Sequence, residues 1–154
     1  MKKNFTKEDI IKKHETNIKS AFTAYFLAGV LGIIYIVRYL LKGEFDFHFS
    51  LSFTDIMLKL QSGGEITTAV CIAAIAIFLL IYLIPIALLF KNSKYLPIAA
   101  GVYLFDFISL IFSVFVLFPK PQNNDWIIEI VLHIFVMIFL GAGIWSHGKM
   151  GKVK

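Results

Sequence analysis

The sequence predicts an all-α integral membrane protein, a bundle of four transmembrane helices with both termini on the cytoplasmic side. Three observations carry that reading. First, 58% of the 154 residues are hydrophobic and only 16% are charged, whereas soluble domains carry charge at about a quarter of their positions. Second, the apolar excess, which lifts the mean hydropathy to +0.79, is gathered into four blocks: residues 21–41, 67–90, 95–118 and 126–146. Each is close to the ~20 residues that a helix needs to cross about 30 Å of hydrocarbon. Third, the lysines are unevenly placed. Lys2, Lys3, Lys7, Lys12, Lys13 and Lys19 precede the first block, Lys91 and Lys94 fill the joint at residues 91–94, and Lys149, Lys152 and Lys154 end the chain. The joints at residues 42–66 and 119–125 set Lys42, Lys59 and Lys120 against Glu44, Asp46, Asp55, Glu65 and Asp125. The positive-inside rule then makes residues 91–94 and the tail at 147–154 cytoplasmic, and the other two joints extracytoplasmic.

The net charge of +5 follows from this topology and from attraction to anionic lipid. It needs no nucleic-acid partner. A multipass protein of a cell (inner or cytoplasmic) membrane results, and its richness in Lys, Ile, Phe and Asn suits a bacterium of low genomic GC. The basic start resembles the n-region of a signal peptide, but no A-x-A-like site follows and the apolar block is too long for one that is cleaved. Cys71 is the single cysteine, so neither an internal disulfide nor a C-x-x-C pair can form.

Residues 1–20 read as an amphipathic helix lying at the cytoplasmic interface. Thr6 and Asp9 form a capping-box-like pattern, with Phe5 and Ile10 at the staple spacing. Ile10, Ile11, His14 and Ile18 then share one face. Span one carries Ser20, Ala24, Ala28 and Gly32 at every fourth position, the small-xxx-small pattern of closely packed membrane helices. On this reading Gly32→Leu weakens assembly. Ala69 and Ala73 in span two and Gly141 and Gly143 in span four are further packing signals, and Pro85 is tolerated inside span two.

The outer joint contains FDFHFSLSF, residues 45–53, in which apolar and polar residues alternate. Alternation is the period of a half-buried strand, and a lone strand needs a partner edge. Thr54 is placed to cap a short helix, DIMLKL, that ends at Ser62, Gly63 and Gly64.

Ionisable residues inside the spans are the candidate functional set. A charge at mid-bilayer costs roughly 2.5–3.5 kcal/mol on insertion scales, and Asp106 stands near the middle of span three. In that span Asp106, Ser109 and Ser113 share a face. In span four Asp125, Glu129 and His133 do the same at i, i+4, i+8. Counting about 1.5 Å per residue, Arg38 and Glu129 fall at one depth and suit an ion pair. Facing stripes would make a polar path from the outer surface to Asp106, which Tyr103, Tyr82 and Tyr25 could continue inward, with Gly29 and Gly32 leaving room beside it. The alternative is that Asp106 and the serines are neutral interhelical glue. A metal at Glu129 and His133 would need His48 or Asp46 as a further ligand.

The chain has no HExxH, GxSxG or P-loop motif, no dinucleotide fingerprint and no second aspartate at the depth of Asp106. The sequence therefore predicts a non-enzymatic protein without a cofactor. It serves either as an oligomeric or partner-binding membrane subunit of accessory, immunity or defence type, or as a proton- or cation-conducting channel or transporter using Asp106, Ser109, Ser113, Glu129 and His133. The expected partners are the lipid bilayer and either a second copy or another membrane protein.

Overall fold

The computed structural model describes residues 7–42, 51–117 and 125–153. All regular structure within them is helical. Helix α1 (Lys7–Lys42) is followed by α2 (Ser52–Ser62), α3 (Thr68–Lys91), a 3-10 turn (Ser93–Tyr95), α4 (Leu96–Phe112) with a closing π-helical turn (Ser113–Leu117), and α5 (Asp125–Val153). Four stretches are long and apolar enough to cross a membrane: Lys7–Tyr39, Thr68–Lys91, Ser93–Leu117 and Trp126–Met150. The chain is a multipass membrane protein. Large apolar side chains such as Ile72, Ile77, Leu80 and Ile138 point outward, as a helix face against lipid requires.

Helix α1 runs unbroken through Ser20 and Ala21, so the expected division there is a change of composition along one helix. Thr67 caps α3 by accepting the Val70 amide, and Asn92 accepts the Lys94 amide at the turn into α4 (2.9 Å). The first turns of α1 lie beside the later turns of α5. His14 meets Trp145 edge-on at 5.6 Å, and Asn17 Nδ2 donates to Ser146 Oγ at 2.9 Å. This is the terminal end of the bundle; the opposite end is the loop end.

The helices approach on small residues, though not the set that sequence spacing selects. Ala21, Tyr25, Ala28 and Gly32 are buried, while Ser20 and Ala24 are half-buried. A strict fourfold spacing drifts by about 40° per step, because the helix repeats every 3.6 residues. The series i, i+4, i+7, i+11 from Ala21 holds one face where Ser20, Ala24, Ala28 and Gly32 slide across it. A Cβ on Gly143 would lie 2.5 Å from the Ala21 Cβ, so α1 and α5 approach closely there. Between α1 and α3, Tyr25 and Tyr82 stack at 4.6 Å. Each hydroxyl donates to the other residue's carbonyl, at 3.0 and 3.3 Å. Gly29 gives the Tyr82 ring its place.

Gly32 serves a contact within the chain. A Cβ there would overlap Leu51 Cγ, so a substitution at Gly32 meets α2. Ala69, Ala73 and Gly141 are exposed and take no part in the internal packing.

Candidate functional site

Helix α2 is built into the bundle. Among residues 51–60 none is exposed, although the segment LSFTDIMLKL contains serine, threonine, aspartate and lysine. It packs against α3 and α4, and Leu51 joins the core around Tyr25, Phe78, Tyr82 and Tyr103. Its polar side chains are met individually. Asp55 accepts from the Tyr35 hydroxyl at 2.7 Å and pairs with Lys59 at 2.7 Å. Thr54 Oγ1 donates to the Leu51 carbonyl at 2.6 Å. At the loop end, Gly63 donates to Lys59 O, and Gly64 turns the chain with φ +80°, a conformation that glycine adopts without cost.

Two expectations change here. Ser52 and Phe53 are helical, so the strand does not reach its expected end, and its residues 45–50 lie outside the described residues. Thr54 is not the cap; Leu51 stands at that position with no side-chain capping bond. The first free amides of a helix need acceptors. In α2 the Phe53 N–H finds one in another helix, donating to Asp106 Oδ1 at 3.0 Å. Asp106 thus acts as the N-cap of a helix 53 positions earlier in sequence, with its carboxyl at the positive end of the α2 dipole.

The other Asp106 oxygen faces His133. Oδ2 lies 3.4 Å from Nε2, and both side chains are 0% exposed. His133 Nδ1 is 2.8 Å from the Glu129 carbonyl. A carbonyl only accepts, so Nδ1 carries a hydrogen and donates it. In the neutral ring Nε2 then presents a lone pair. A proton on either Oδ2 or Nε2 would let these two atoms form a hydrogen bond. Ser52 Oγ, 3.5 Å from Nε2, brings α2 to the same nitrogen. The imidazole lies nearly parallel to the Tyr103 and Phe107 rings, at 5.3 and 6.0 Å.

The two polar stripes expected from sequence therefore meet, at Asp106 and His133. Ser109 and Ser113 are buried on the Asp106 face, but Ser109 Oγ is turned back to the Phe105 carbonyl at 2.9 Å. Glu129 is half-buried one turn toward the loop end and touches His133 through its backbone. No ion pair joins Arg38 to Glu129 among the described residues; near that end of α1 the inserted α2 packs on Gly32, Tyr35 and Ile36. The side chain of Asp125 lies outside the described residues, as do Asp46 and His48. No group of three metal-ligating side chains occurs among the described residues.

Toward the terminal end the polar path stops. The hydroxyls of Tyr25 and Tyr82 are engaged with backbone carbonyls, and the Tyr103 hydroxyl is buried without a partner. Beyond them Leu96, Ala99 and Leu140 are fully buried. The space expected beside Gly29 and Gly32 is filled by Tyr82 and Leu51.

Sequence spacing missed Ser52 and the Phe53 amide, because an alternating segment reads as a strand and a backbone donor has no residue signature. No family model, no curated protein and no solved structure matches this chain.

Proposed function

We propose that this is a non-enzymatic membrane protein that binds and releases protons at the Asp106–His133 couple, as the centre of a small proton-linked transporter or conductor. One observation carries the reading. Two fully buried ionisable groups face each other at 3.4 Å at the N-terminus of an inserted helix. Neutral side chains could seat α2 equally well, and ionisable groups at such depth are retained where charge or protons move. Half-helices whose ends meet a charged group at mid-membrane are a recurring device of transport proteins.

The chemistry follows from the proton count. With one proton, Oδ2 and Nε2 attract, and Oδ1 holds α2. A second proton makes an imidazolium facing a neutral acid, which removes the negative charge favoured by the α2 N-terminus. Loss of the proton between Oδ2 and Nε2 sets a carboxylate against a lone pair. Either change loosens α2, so proton exchange is coupled to helix position. Glu129 lies on the loop-end side of His133, which supports proton entry from there. The closed apolar layer at Leu96, Ala99 and Leu140 supports a gated passage and not an open pore.

The lysine distribution supports a cell membrane with both termini cytoplasmic, and hence a loop end facing outward; the charged residues before Ser20 then lie at the inner surface as the amphipathic part of α1. A second reading, a subunit that docks on copies of itself or on a partner in an accessory or defence role, is favoured by Ala69, Ala73 and Gly141. These small residues face outward, where another helix can approach closely.

The test is proton flux into liposomes containing the wild type or Asp106→Asn. Asparagine still accepts from Phe53 and donates to Nε2, but it cannot ionise. Flux in the wild type that disappears in the folded variant supports the proposal. Absence of wild-type flux, under an imposed potential of either sign, overturns it and leaves the docking subunit.

A further inference from the structure

The seam between α1 and α5 opens on the lipid side into a groove of about 520 Å³. Its depth comes from Ser20, Ala24 and Ala28 of α1, set against larger side chains of α5 such as Leu132, Phe135 and Phe139. Polarity changes along its length. Thr16, Lys19, Ser20 and Thr23 line it toward the terminal end, and Leu27, Ala28 and Leu31 toward the middle of the bundle. Lys12, Thr16, Lys19 and Thr23 follow the spacing i, i+4, i+7, i+11 and so share the face that leads into the groove. Lys19 is the last charge before the uncharged residues 20–37, which places its ammonium where hydrocarbon gives way to headgroups. Lys12 and Lys19 are exposed, and neither is paired with a carboxylate among the described residues.

We infer that this groove holds one anionic phospholipid, its phosphate between Lys12 and Lys19 and an acyl chain laid along Ala24 and Ala28. Charge complementarity selects this occupant. A phospholipid carries its phosphate at the height of Lys19 and an apolar chain from there inward, which is the polarity order of the groove. A helix from a second copy would leave Lys19 and two threonines facing its flank at the edge of the hydrocarbon. Basic sites between transmembrane helices are a recognised means of holding anionic headgroups.

The test is retention of lipid by the purified full chain in native mass spectrometry, after exchange from vesicles containing equal phosphatidylglycerol and phosphatidylcholine. The wild type is expected to keep one phosphatidylglycerol per chain in preference to phosphatidylcholine. The double variant Lys12→Gln, Lys19→Gln is expected to bind it about 30-fold more weakly, from the usual contribution of each basic residue near a charged surface. Ala24→Leu fills the groove and is expected to abolish retention while Cys71, buried against α2, stays protected from thiol reagents as a check on folding. Equal retention of both lipids, or phosphatidylglycerol retention unchanged in the double variant, overturns the inference. A changed oligomer mass in Ala24→Leu overturns it too, since the occupant would then be another copy of the chain.

Discussion

The two halves of the bundle are held together by different means. In the terminal half, helices touch directly: Gly143 receives Ala21, and the Tyr25 and Tyr82 rings stack and bond each other's backbone. In the loop half a fifth helix stands among them, and its contacts are with Asp106, His133, Tyr35 and the face of Gly32. The difference follows from backbone chemistry. A continuous helix satisfies its own amides and needs only shape from its neighbours, whereas a helix that begins inside the protein brings free amides with it. Buried Ser52, Thr54, Asp106, Ser109, Ser113 and His133 accordingly lie in the half where α2 begins, and buried His14 and Ser146 lie at the terminal end.

The strongest test of this contrast is Asp106→Ala. It removes the acceptor of the Phe53 amide and the partner of His133 together, and an expected loss of about 3–5 kcal/mol follows from breaking a buried pair on one side. Equilibrium unfolding in mixed micelles measures it. Asp106→Asn should lose less than about 1.5 kcal/mol, since it preserves a donor and an acceptor. Equal losses for the two variants would mean that Asp106 acts by volume alone.

Gly32→Leu comes next. Its side chain claims the place of Leu51, an overpacking cost of about 1–3 kcal/mol, and the strain is relieved most easily by displacing α2. Cys71 reports this without an added probe, because its thiol is buried and donates to the Met57 carbonyl of α2 at 3.4 Å. Labelling by a membrane-permeant maleimide is expected to accelerate severalfold in Gly32→Leu. Unchanged labelling would show that α2 stays seated and that another part of the bundle yields.

In the terminal half, glycine substitutions should split in sign. Gly143→Ala forces α1 and α5 apart and is expected to cost about 1–3 kcal/mol. Gly141→Ala, two residues away with nothing within 4 Å of the new Cβ, should gain up to about 1 kcal/mol from helix propensity. Thermal midpoints of the pair test this, and a loss at both positions would place a helix from another molecule against Gly141. The smallest effect is expected for Tyr82→Phe. It deletes one hydroxyl bond to the Tyr25 carbonyl and keeps the stacked ring, at about 1 kcal/mol.

These contrasts also mark what could be read from sequence. Burial of Asp106, Ser109, Ser113 and His133 follows from their spacing, because stripes on long helices have a fixed period and lipid rejects polar groups. The stripes put Asp106 and His133 on faces that could meet, but their pairing at 3.4 Å is decided by how α4 and α5 sit against each other. Helix α2 was legible only as a short helix near Asp55 and Leu60. Its buried residues, Ser52, Thr54, Ile56 and Leu58, include two that are polar, so no apolar stripe marks it, and its first residues, Leu51 to Phe53, keep the alternation of the segment before them. Of the small-residue stripe on α1, Ala28 and Gly32 are buried inside the chain and Ser20 and Ala24 half-buried, since a fourfold spacing looks regular in sequence and drifts around the helix in space.

The sequence by itself determined the four spans and the residues that lipid would exclude, because transfer of apolar surface and of charge depends on local composition. It also determined that the first charged region of α1 ends at Lys19, before the uncharged residues 20–37. The tertiary structure decided which acceptor the α2 amide would find, which nitrogen of His133 would face Asp106, and that Gly32 would admit Leu51. Those outcomes depend on distances between segments far apart in the chain, and a backbone N–H offers the same donor at almost every residue until folding selects its partner.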